Sequence, residues 1–564
     1  RGTDQRPVDG RPFDQARAEH RSGSDGRSAD RPGVEPRSGG QPRTDQDGRA
    51  TDQRHQPPAQ RHTDPARDAK NRSVSSSQPP EPPKAVPVRV GPDPEEPAPQ
   101  TKRGRKGLLV AGAIVAVIAI AAGVVFGVPG VAGKLGLTDD DPAVAIAPPP
   151  VPVEFVATLR SPGVDAPAPS AEGLKAELAG PAADPALGTL TGTVIDPASG
   201  DVLFAQNADT PLVPASTTKI LTSAAALLAL PHSEQLTTRV VAGDKPGTAI
   251  IVGGGDPTLS SLPVGKNSVY PGAAHLDDLV AQVKASGPVD TVLVDLDRYT
   301  GDGIAVGWER GDVGVGYIAP MVPAMLDGGR ADPTKAVSPR SDNPGRTLAE
   351  AFAKRIGATV PAKATVTARP NAKVLGEVRS APVVELVDNT LQRSDNVLAE
   401  ALAREVGLAA KQEASFAGGT KGITETLRAN GFAVDTLALH DGSGLSTENK
   451  VTAALLADVL RVAAAPGGSD PRTAKLRPLL GGLPVAGGSG TLAGRYQGPA
   501  AVGGKGWVRA KTGTLSSVNS LAGVVLDADG RLLVFALMSN GSAPGAAQPA
   551  LDVVAATLRK CGCR

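Results

Sequence analysis

The chain has 564 residues, with 59 Lys and Arg set against 58 Asp and Glu for a formal net charge of +1. A balance this even leaves no basic footprint for nucleic acid, so no nucleic-acid partner is expected. The length allows more than one folded unit, and two cysteines, Cys561 and Cys563, exclude a disulfide-scaffolded fold. That pair can close a tail ring, join another chain or stay reduced, and no catalytic role falls to it.

Residues 1–106 are rich in Arg, Asp, Gln, Pro, Ser and Gly, with almost no large apolar side chains. Such a segment cannot bury enough surface to offset its ordering entropy, and a disordered tail is expected there. Residues 107–128 carry no charge. At about 1.5 Å per residue a helix over that stretch spans roughly 33 Å, the thickness of a bilayer core. Lys102, Arg103, Arg105 and Lys106 crowd its N-terminal side, and Asp139, Asp140 and Asp141 follow it. By the positive-inside rule this is a single-pass anchor of the cytoplasmic membrane, with the tail cytoplasmic and the remainder outside. A Pro-rich linker over 129–155 lifts that remainder off the membrane.

A hairpin is expected next, with strands at 192–196 and 201–205 joined by a Pro-Ala-Ser-Gly turn. Pro214 then opens a helix with apolar residues at helical spacing and Ser216 in its first turn. Residues 248–252 and 291–295 read as strands and 275–285 as a helix, among many Gly and Pro turns; they mark 245–375 as an inserted module. Residues 382–392 and 397–406 read as helices on either side of Ser394-Asp-Asn396. Residues 506–514, 520–527 and 531–538 read as consecutive antiparallel strands, and 547–560 as a closing amphipathic helix. Helices on an antiparallel sheet, interrupted by an insertion, make an α+β architecture. Its catalytic domain would comprise two segments, 156–244 and 376–564.

Three short words carry the chemistry: Ser216-Thr-Thr-Lys219, Ser394-Asp-Asn396 and Lys511-Thr-Gly513. Ser216 and Lys219 lie three apart, on one helix face. A serine hydroxyl becomes a nucleophile when a neighbouring base removes its proton, and Lys219 serves only while part of it is neutral. Burial together with a nearby cation, for which Lys511 is the candidate, would lower its pKa. The helix N-terminus favours negative charge developing on Ser216. Ser394 can relay a proton to a leaving amine, and Asn396 can hold a substrate amide through its donor and acceptor, with Asp395 directed elsewhere. Lys511-Thr-Gly513-Thr514 sits on a strand, where a glycine makes sense if another backbone approaches closely. Substrate would lie antiparallel along this edge, its terminal carboxylate at Lys511, Thr512 and Thr514. The backbone N–H groups of Ser216 and Thr514 would form an oxyanion hole. Beyond the linker only His232, His275 and His440 remain, with no Gly-x-Ser-x-Gly elbow, which argues against a Ser-His-Asp triad. There is no His-Glu-x-x-His and no Cys-x-x-Cys, so neither a catalytic metal nor another cofactor is expected.

In this order the three words are the signature of penicillin-binding proteins and serine β-lactamases. Over about 190–555 the chain resembles the D-alanyl-D-alanine carboxypeptidase/endopeptidase family of penicillin-binding proteins, whose transpeptidase-like domain carries a large insertion. Gly253-Gly-Gly-Asp-Pro-Thr-Leu259, Ser394-Asp-Asn-Val-Leu-Ala-Glu400, Asp441-Gly-Ser-Gly-Leu-Ser446 and Leu483-Pro-Val-Ala-Gly-Gly-Ser-Gly-Thr-Leu492 also fit that family, and outside the three words structural roles alone are given to them. The resemblance implies a DD-peptidase-like α+β fold, Ser216 as the acylated nucleophile and Lys219 as general base. Ser394, Asn396, Lys511 and Thr512 complete the implied site. It implies peptidoglycan stem peptides ending in D-Ala-D-Ala as substrate and β-lactams as covalent inhibitors; cross-link cleavage and transpeptidation would use the same site. Thr447 departs from the pattern, standing where family members often have a basic residue. A β-lactamase is one rival reading. Against it, no Glu-x-x-x-Asn word lies between Val397 and His440, since Glu425 and Asn430 are spaced one residue too far. A membrane-tethered β-lactam or muropeptide sensor is another, but the tail offers no folded output domain.

Overall fold

In the computed structural model, residues 165–467 and 470–564 are described. The expected tail, the apolar stretch 107–128 and the linker 129–155 lie outside them. Among the described residues, no helix is long and apolar enough to cross a membrane.

The strands in chain order are β1 (Thr189–Ile195), β2 (Val202–Gln206), β3 (Gln235–Ala242), β4 (Thr248–Val252), β5 (Thr291–Asp295), β6 (Val374–Pro382), β7 (Val508–Leu515), β8 (Val518–Leu526) and β9 (Leu532–Asn540). The longer helices are α1 (Ala171–Ala182), α2 (Thr218–Ala229), α3 (Leu276–Ser286), α4 (Pro344–Ile356), α5 (Val383–Arg393), α6 (Asn396–Ala409), α7 (Phe416–Ala429), α8 (Ala453–Ala464) and α9 (Ala547–Lys560).

Five strands form an antiparallel sheet in the order β2-β1-β9-β8-β7. Its strands read as near-continuous apolar runs because both faces are covered. β9 sends Leu533, Phe535 and Leu537 to one face, against Leu174 and Leu178 of α1 and Leu551 of α9. Val534, Ala536 and Met538 alternate to the other, against α8, in a cluster that continues from Leu456 through Leu221 of α2 to Leu391 of α5 and Leu402 of α6. Helix α2 runs through the middle of this second layer and is buried from Thr218 to Leu228, which accounts for its small residues Ala224, Ala225 and Ala226. Each of its leucines contributes about 2 kcal/mol by burial, so the helix bearing Lys219 is held firmly.

Four more strands form a second sheet, β5-β4-β3-β6, covered by α3 and α4. It begins before residue 245 and ends after 375, because β3 pairs antiparallel with β6, placing Thr238 opposite Val378. The stretch from β3 to β6 therefore closes on itself through those two strands. At the far end of the chain Cys561 and Cys563 pair with each other, and the Cys563 carbonyl accepts from the Ser170 amide at 2.6 Å, at the start of α1.

Candidate active site

Ser216 lies in a single 3-10 turn, Ala215–Thr217, immediately before α2 and not inside its first α-helical turn. The preceding Ala215 takes φ +49°, a left-handed conformation that costs a residue with a Cβ about 1–3 kcal/mol. Its surroundings enforce it. The Pro214 carbonyl accepts from Ser520 Oγ at 2.6 Å and from Thr217 Oγ1 at 2.7 Å, while Ala215 itself packs with Val213 and Val518. Gly513 on β7 makes room for this turn, since a Cβ there would sit 2.7 Å from the Pro214 carbonyl oxygen. The backbone that approaches the Lys-Thr-Gly glycine is thus the chain's own serine turn.

Lys219 is fully buried, and its Nζ meets Ser216 Oγ at 3.0 Å, Asn396 Oδ1 at 2.6 Å and the Ser443 carbonyl oxygen at 2.6 Å. As an ammonium it donates to all three. As a neutral amine it gives its two hydrogens to the two carbonyl-type oxygens and turns its lone pair to the Ser216 hydroxyl. Burial lowers its pKa to about 8, against the opposing pull of Asp441, Glu400 and Asp395. Lys511 is not the cation expected to lower it. Lys511 is itself fully buried, and burial together with the charge of Lys219 pushes its own pKa well below the ordinary lysine value. At Lys219 the one cause that lowers the pKa is burial. Lys511 Nζ donates to Ser394 Oγ at 2.9 Å and to the Thr512 carbonyl at 2.8 Å.

The Ser-Asp-Asn word joins two helices. Ser394 ends α5 in the left-handed region at φ +58°, and Asp395 caps α6 by accepting from the Leu398 amide at 3.0 Å. Asn396 has its Oδ1 on Lys219, and its Nδ2 donates to the Tyr317 carbonyl at 3.0 Å. The residue expected to hold substrate at both ends of its amide therefore also fixes the lysine. The Asp395 carboxylate faces away, into a buried cluster where Arg330 pairs with it and Tyr270 Oη donates at 2.9 Å. Burial would raise its pKa, but Arg330 and Arg340 hold it well below the usual carboxylate range. Tyr270 and Arg330 lie in the chain between β4 and β6, and they brace the turn that carries Ser394.

Glu400 and Ser443 fall in stretches to which the sequence reading gives structural roles alone, and it does not foresee their action on Lys219. Glu400 on α6 accepts from the Gly442 amide at 2.9 Å and the Ser443 amide at 2.8 Å, which turns the Ser443 carbonyl onto Lys219. Burial and neighbouring Asp441 raise the Glu400 pKa to about 7. The sequence signal at Ser443 was the glycine-rich word Asp441-Gly-Ser-Gly444, whose second glycine lies where a Cβ would run into the Ala215 carbonyl.

A cleft of about 250 Å³ opens over Ser216 and Ser394. Thr512 and Thr514 of β7 line it together with Thr491, Arg495 and Gln548. β7 is the edge of its sheet, and its start is covered by hydrogen bonds of 2.9 Å from Ala486 N to the Val508 carbonyl and from Ala510 N to the Pro484 carbonyl. Among the described residues no strand continues that cover past Ala510, which leaves Lys511-Thr-Gly-Thr514 as an open edge beside the serines. A larger hollow of about 860 Å³, around Trp507, Val524 and Leu532, contains none of the site residues.

The sequence profile of the D-Ala-D-Ala carboxypeptidase 3 (S13) family matches residues 174–342 and 332–558. A carboxypeptidase of Mycobacterium tuberculosis is 42% identical over 429 residues, covering 74% of this chain and 90% of the relative. Carboxypeptidase DacB of Mycolicibacterium smegmatis is 42% identical over 459 residues, covering 80% of this chain and 96% of the relative. In three dimensions the chain is similar to penicillin binding protein 4 (dacB) from Haemophilus influenzae, at a TM-score of 0.56 and 21% identity, over 68% of this chain and 97% of that one. That likeness is one of fold. With the profile running through both sheets and the full set of three words, the chain belongs to the D-Ala-D-Ala carboxypeptidase 3 (S13) family.

Proposed function

We infer that this chain, a serine-type D-Ala-D-Ala carboxypeptidase, removes the terminal D-Ala of peptidoglycan stem peptides through an acyl-Ser216 intermediate. The observation that carries the reading is Lys219, buried, 3.0 Å from Ser216 Oγ and held by two carbonyl-type oxygens that leave its lone pair for the hydroxyl. The peptide lies along the open edge of β7. Ser216 Oγ attacks the carbonyl carbon of the penultimate D-Ala as its proton passes to neutral Lys219. The amides of Ser216 and Thr514 receive the developing oxyanion. Collapse breaks the C–N bond, and the terminal D-Ala leaves with a proton relayed through Ser394, which Lys511 holds in place. Water then attacks the ester as Lys219 takes its proton, and Lys219 returns that proton to Ser216 Oγ as the ester C–O bond breaks and the shortened peptide departs. A β-lactam follows the first half of this course, its leaving nitrogen staying tethered to the acyl group.

Penicillin with the full chain is expected to give one adduct, on Ser216, by intact-mass and peptide analysis. D-Ala should be released from a peptide ending in D-Ala-D-Ala by the parent and not by Ser216→Ala. An adduct on another residue, or release by the variant, would overturn the assignment.

The uncharged stretch 107–128 with its basic flank supports a single-pass anchor that leaves the catalytic half outside the membrane. Deleting 107–128 should move the protein from the membrane fraction to the supernatant. A parent already in the supernatant would refute the anchor.

A further inference from the structure

We propose that Arg495 recognises the free carboxylate at the substrate's C-terminus and so sets the preference for a chain end over a chain middle. The proposal rests on the carboxypeptidase reading above. What distinguishes the two substrates chemically is one negative charge beside the scissile bond, and the site needs a cation to read it.

Neither lysine supplies one. Both Nζ groups are enclosed, Lys219 by three oxygens and Lys511 by Ser394 Oγ and the Thr512 carbonyl. Lys511 is in addition driven toward its neutral form by burial and by Lys219. Thr512 and Thr514 offer only hydroxyls, and Thr512 Oγ1 is already 2.7 Å from Thr491 Oγ1. Among the described residues lining the cleft, Arg495 is the one permanent cation, since a guanidinium stays charged at every physiological pH.

Its orientation is fixed from behind. Nε donates to Asp552 Oδ2 at 3.2 Å; Nη2 donates to Asp552 Oδ1 at 2.8 Å and to the Gln548 carbonyl at 3.0 Å. These contacts use one edge of the fork. Nη1 makes no hydrogen bond to any described residue, and the side chain keeps 14% exposure. Gln548 and Asp552 lie one turn apart on α9, and Gln548 Nε2 donates to Thr514 Oγ1 at 3.1 Å. One helical turn thus positions both the guanidinium and a hydroxyl of the substrate strand. An Arg–Asp pair that only tied the loop before β7 to α9 would have no need to line the cleft over Ser216.

The test measures kcat/KM for one peptide ending in D-Ala-D-Ala as the free acid and as the C-terminal carboxamide, with the full chain and Arg495→Gln. The parent should prefer the acid, and the acid-to-amide ratio should fall about 10- to 100-fold in Arg495→Gln, the usual span for one charge-assisted hydrogen bond. Arg495→Lys, which keeps charge without the fork, should fall between. Equal losses on both peptides, no loss on the acid, or a parent indifferent to the carboxylate would each overturn the proposal. If Arg495→Gln does not fold, Arg495→Lys decides by the same ratio. A parent inactive on both peptides and not acylated by penicillin would instead remove the carboxypeptidase reading.

Discussion

Two serine–lysine pairs face each other across the site, with Ser216 3.0 Å from Lys219 and Ser394 2.9 Å from Lys511. Both lysines are fully buried. Their surroundings differ. Asp441, Glu400 and Asp395 act on Lys219 and keep its pKa at about 8 in spite of burial. For Lys511 no carboxylate opposes burial, and the charge of Lys219 adds to it, so its pKa falls well below normal. Distance alone therefore does not assign the roles. A carboxylate frame keeps the proton affinity of one lysine near physiological pH, while the other, with its pKa pushed down by burial and by Lys219, donates to Ser394 and the strand.

The largest test of this asymmetry is to delete each hydroxyl in turn. Ser216→Ala should abolish penicillin acylation and lower D-Ala release by about 10⁶-fold, the scale of removing a serine nucleophile. Ser394→Ala, which loses only a proton relay, should cost about 10²- to 10³-fold. Equal losses would make the two pairs equivalent and end the comparison. Lys219→Met comes next, with an expected loss of about 10²- to 10⁴-fold in the acylation rate, the range for a general base.

The carboxylates can then be separated by stability. Asp395 pairs closely with the buried Arg330, whereas Glu400 stands 3.7 Å from the buried Arg404. Asp395→Asn leaves the Arg330 guanidinium unpaired and should cost about 3–5 kcal/mol in denaturant unfolding. Because its folded pKa is depressed, this contribution is complete above the unfolded carboxylate pKa of about 4 and is lost as pH falls through the lower folded value. A variant as stable as the parent at pH 7 would show that Arg330 does not brace the turn.

How much of this could be read from the chain divides along the same line between local and long-range chemistry. The three words, the hairpin β1–β2, the strands Thr248–Val252 and Thr291–Asp295 and the closing helix Ala547–Lys560 are local patterns, and the structure carries elements there. The sheet β5-β4-β3-β6 was hidden because β3 finds its partner β6 across the whole stretch between them. Helix α7 was hidden by Gly418, Gly419 and Gly422, which look like turn residues. They exist for packing, since a Cβ on Gly422 would lie 2.7 Å from the Cα of Gly407 on α6. The role of Glu400 was illegible for a related reason, since it is a charged residue amid an apolar helical run whose partners, the amides of Gly442 and Ser443, carry no side-chain signal.

The pH dependence is a smaller effect with a definite sign. If Lys219 must be neutral to accept the Ser216 proton, the acylation rate rises about tenfold per pH unit below its pKa of about 8 and levels above it. Stability moves in the same direction over a higher window. The folded pKa lies below the unfolded one of about 10.4, so the unfolded chain binds the extra proton between them and folding gains as pH rises through that range. A flat penicillin acylation profile from pH 6 to 9 would remove Lys219 as the base.

Glu400→Gln probes the frame itself. The amide oxygen still accepts from the Gly442 and Ser443 amides, so the Ser443 carbonyl stays on Lys219, and Arg404 keeps its hydrogen bond to the backbone carbonyl of residue 400 at 3.3 Å. What is lost is a negative charge that, with a pKa of about 7, is largely present at pH 8 where Lys219 titrates, and with it the pairing to buried Arg404 at 3.7 Å. Without that charge burial acts on Lys219 less opposed, and the acylation limb should move to lower pH by about half a unit to one unit. At pH 7 a larger fraction of Lys219 is then neutral, but each neutral amine is a weaker base, so the rate there should change by no more than about threefold. A limb that stays at its parent position would show that the carboxylates do not set the proton affinity of Lys219; Ser216 and Ser394 would then owe their different roles to their place along β7.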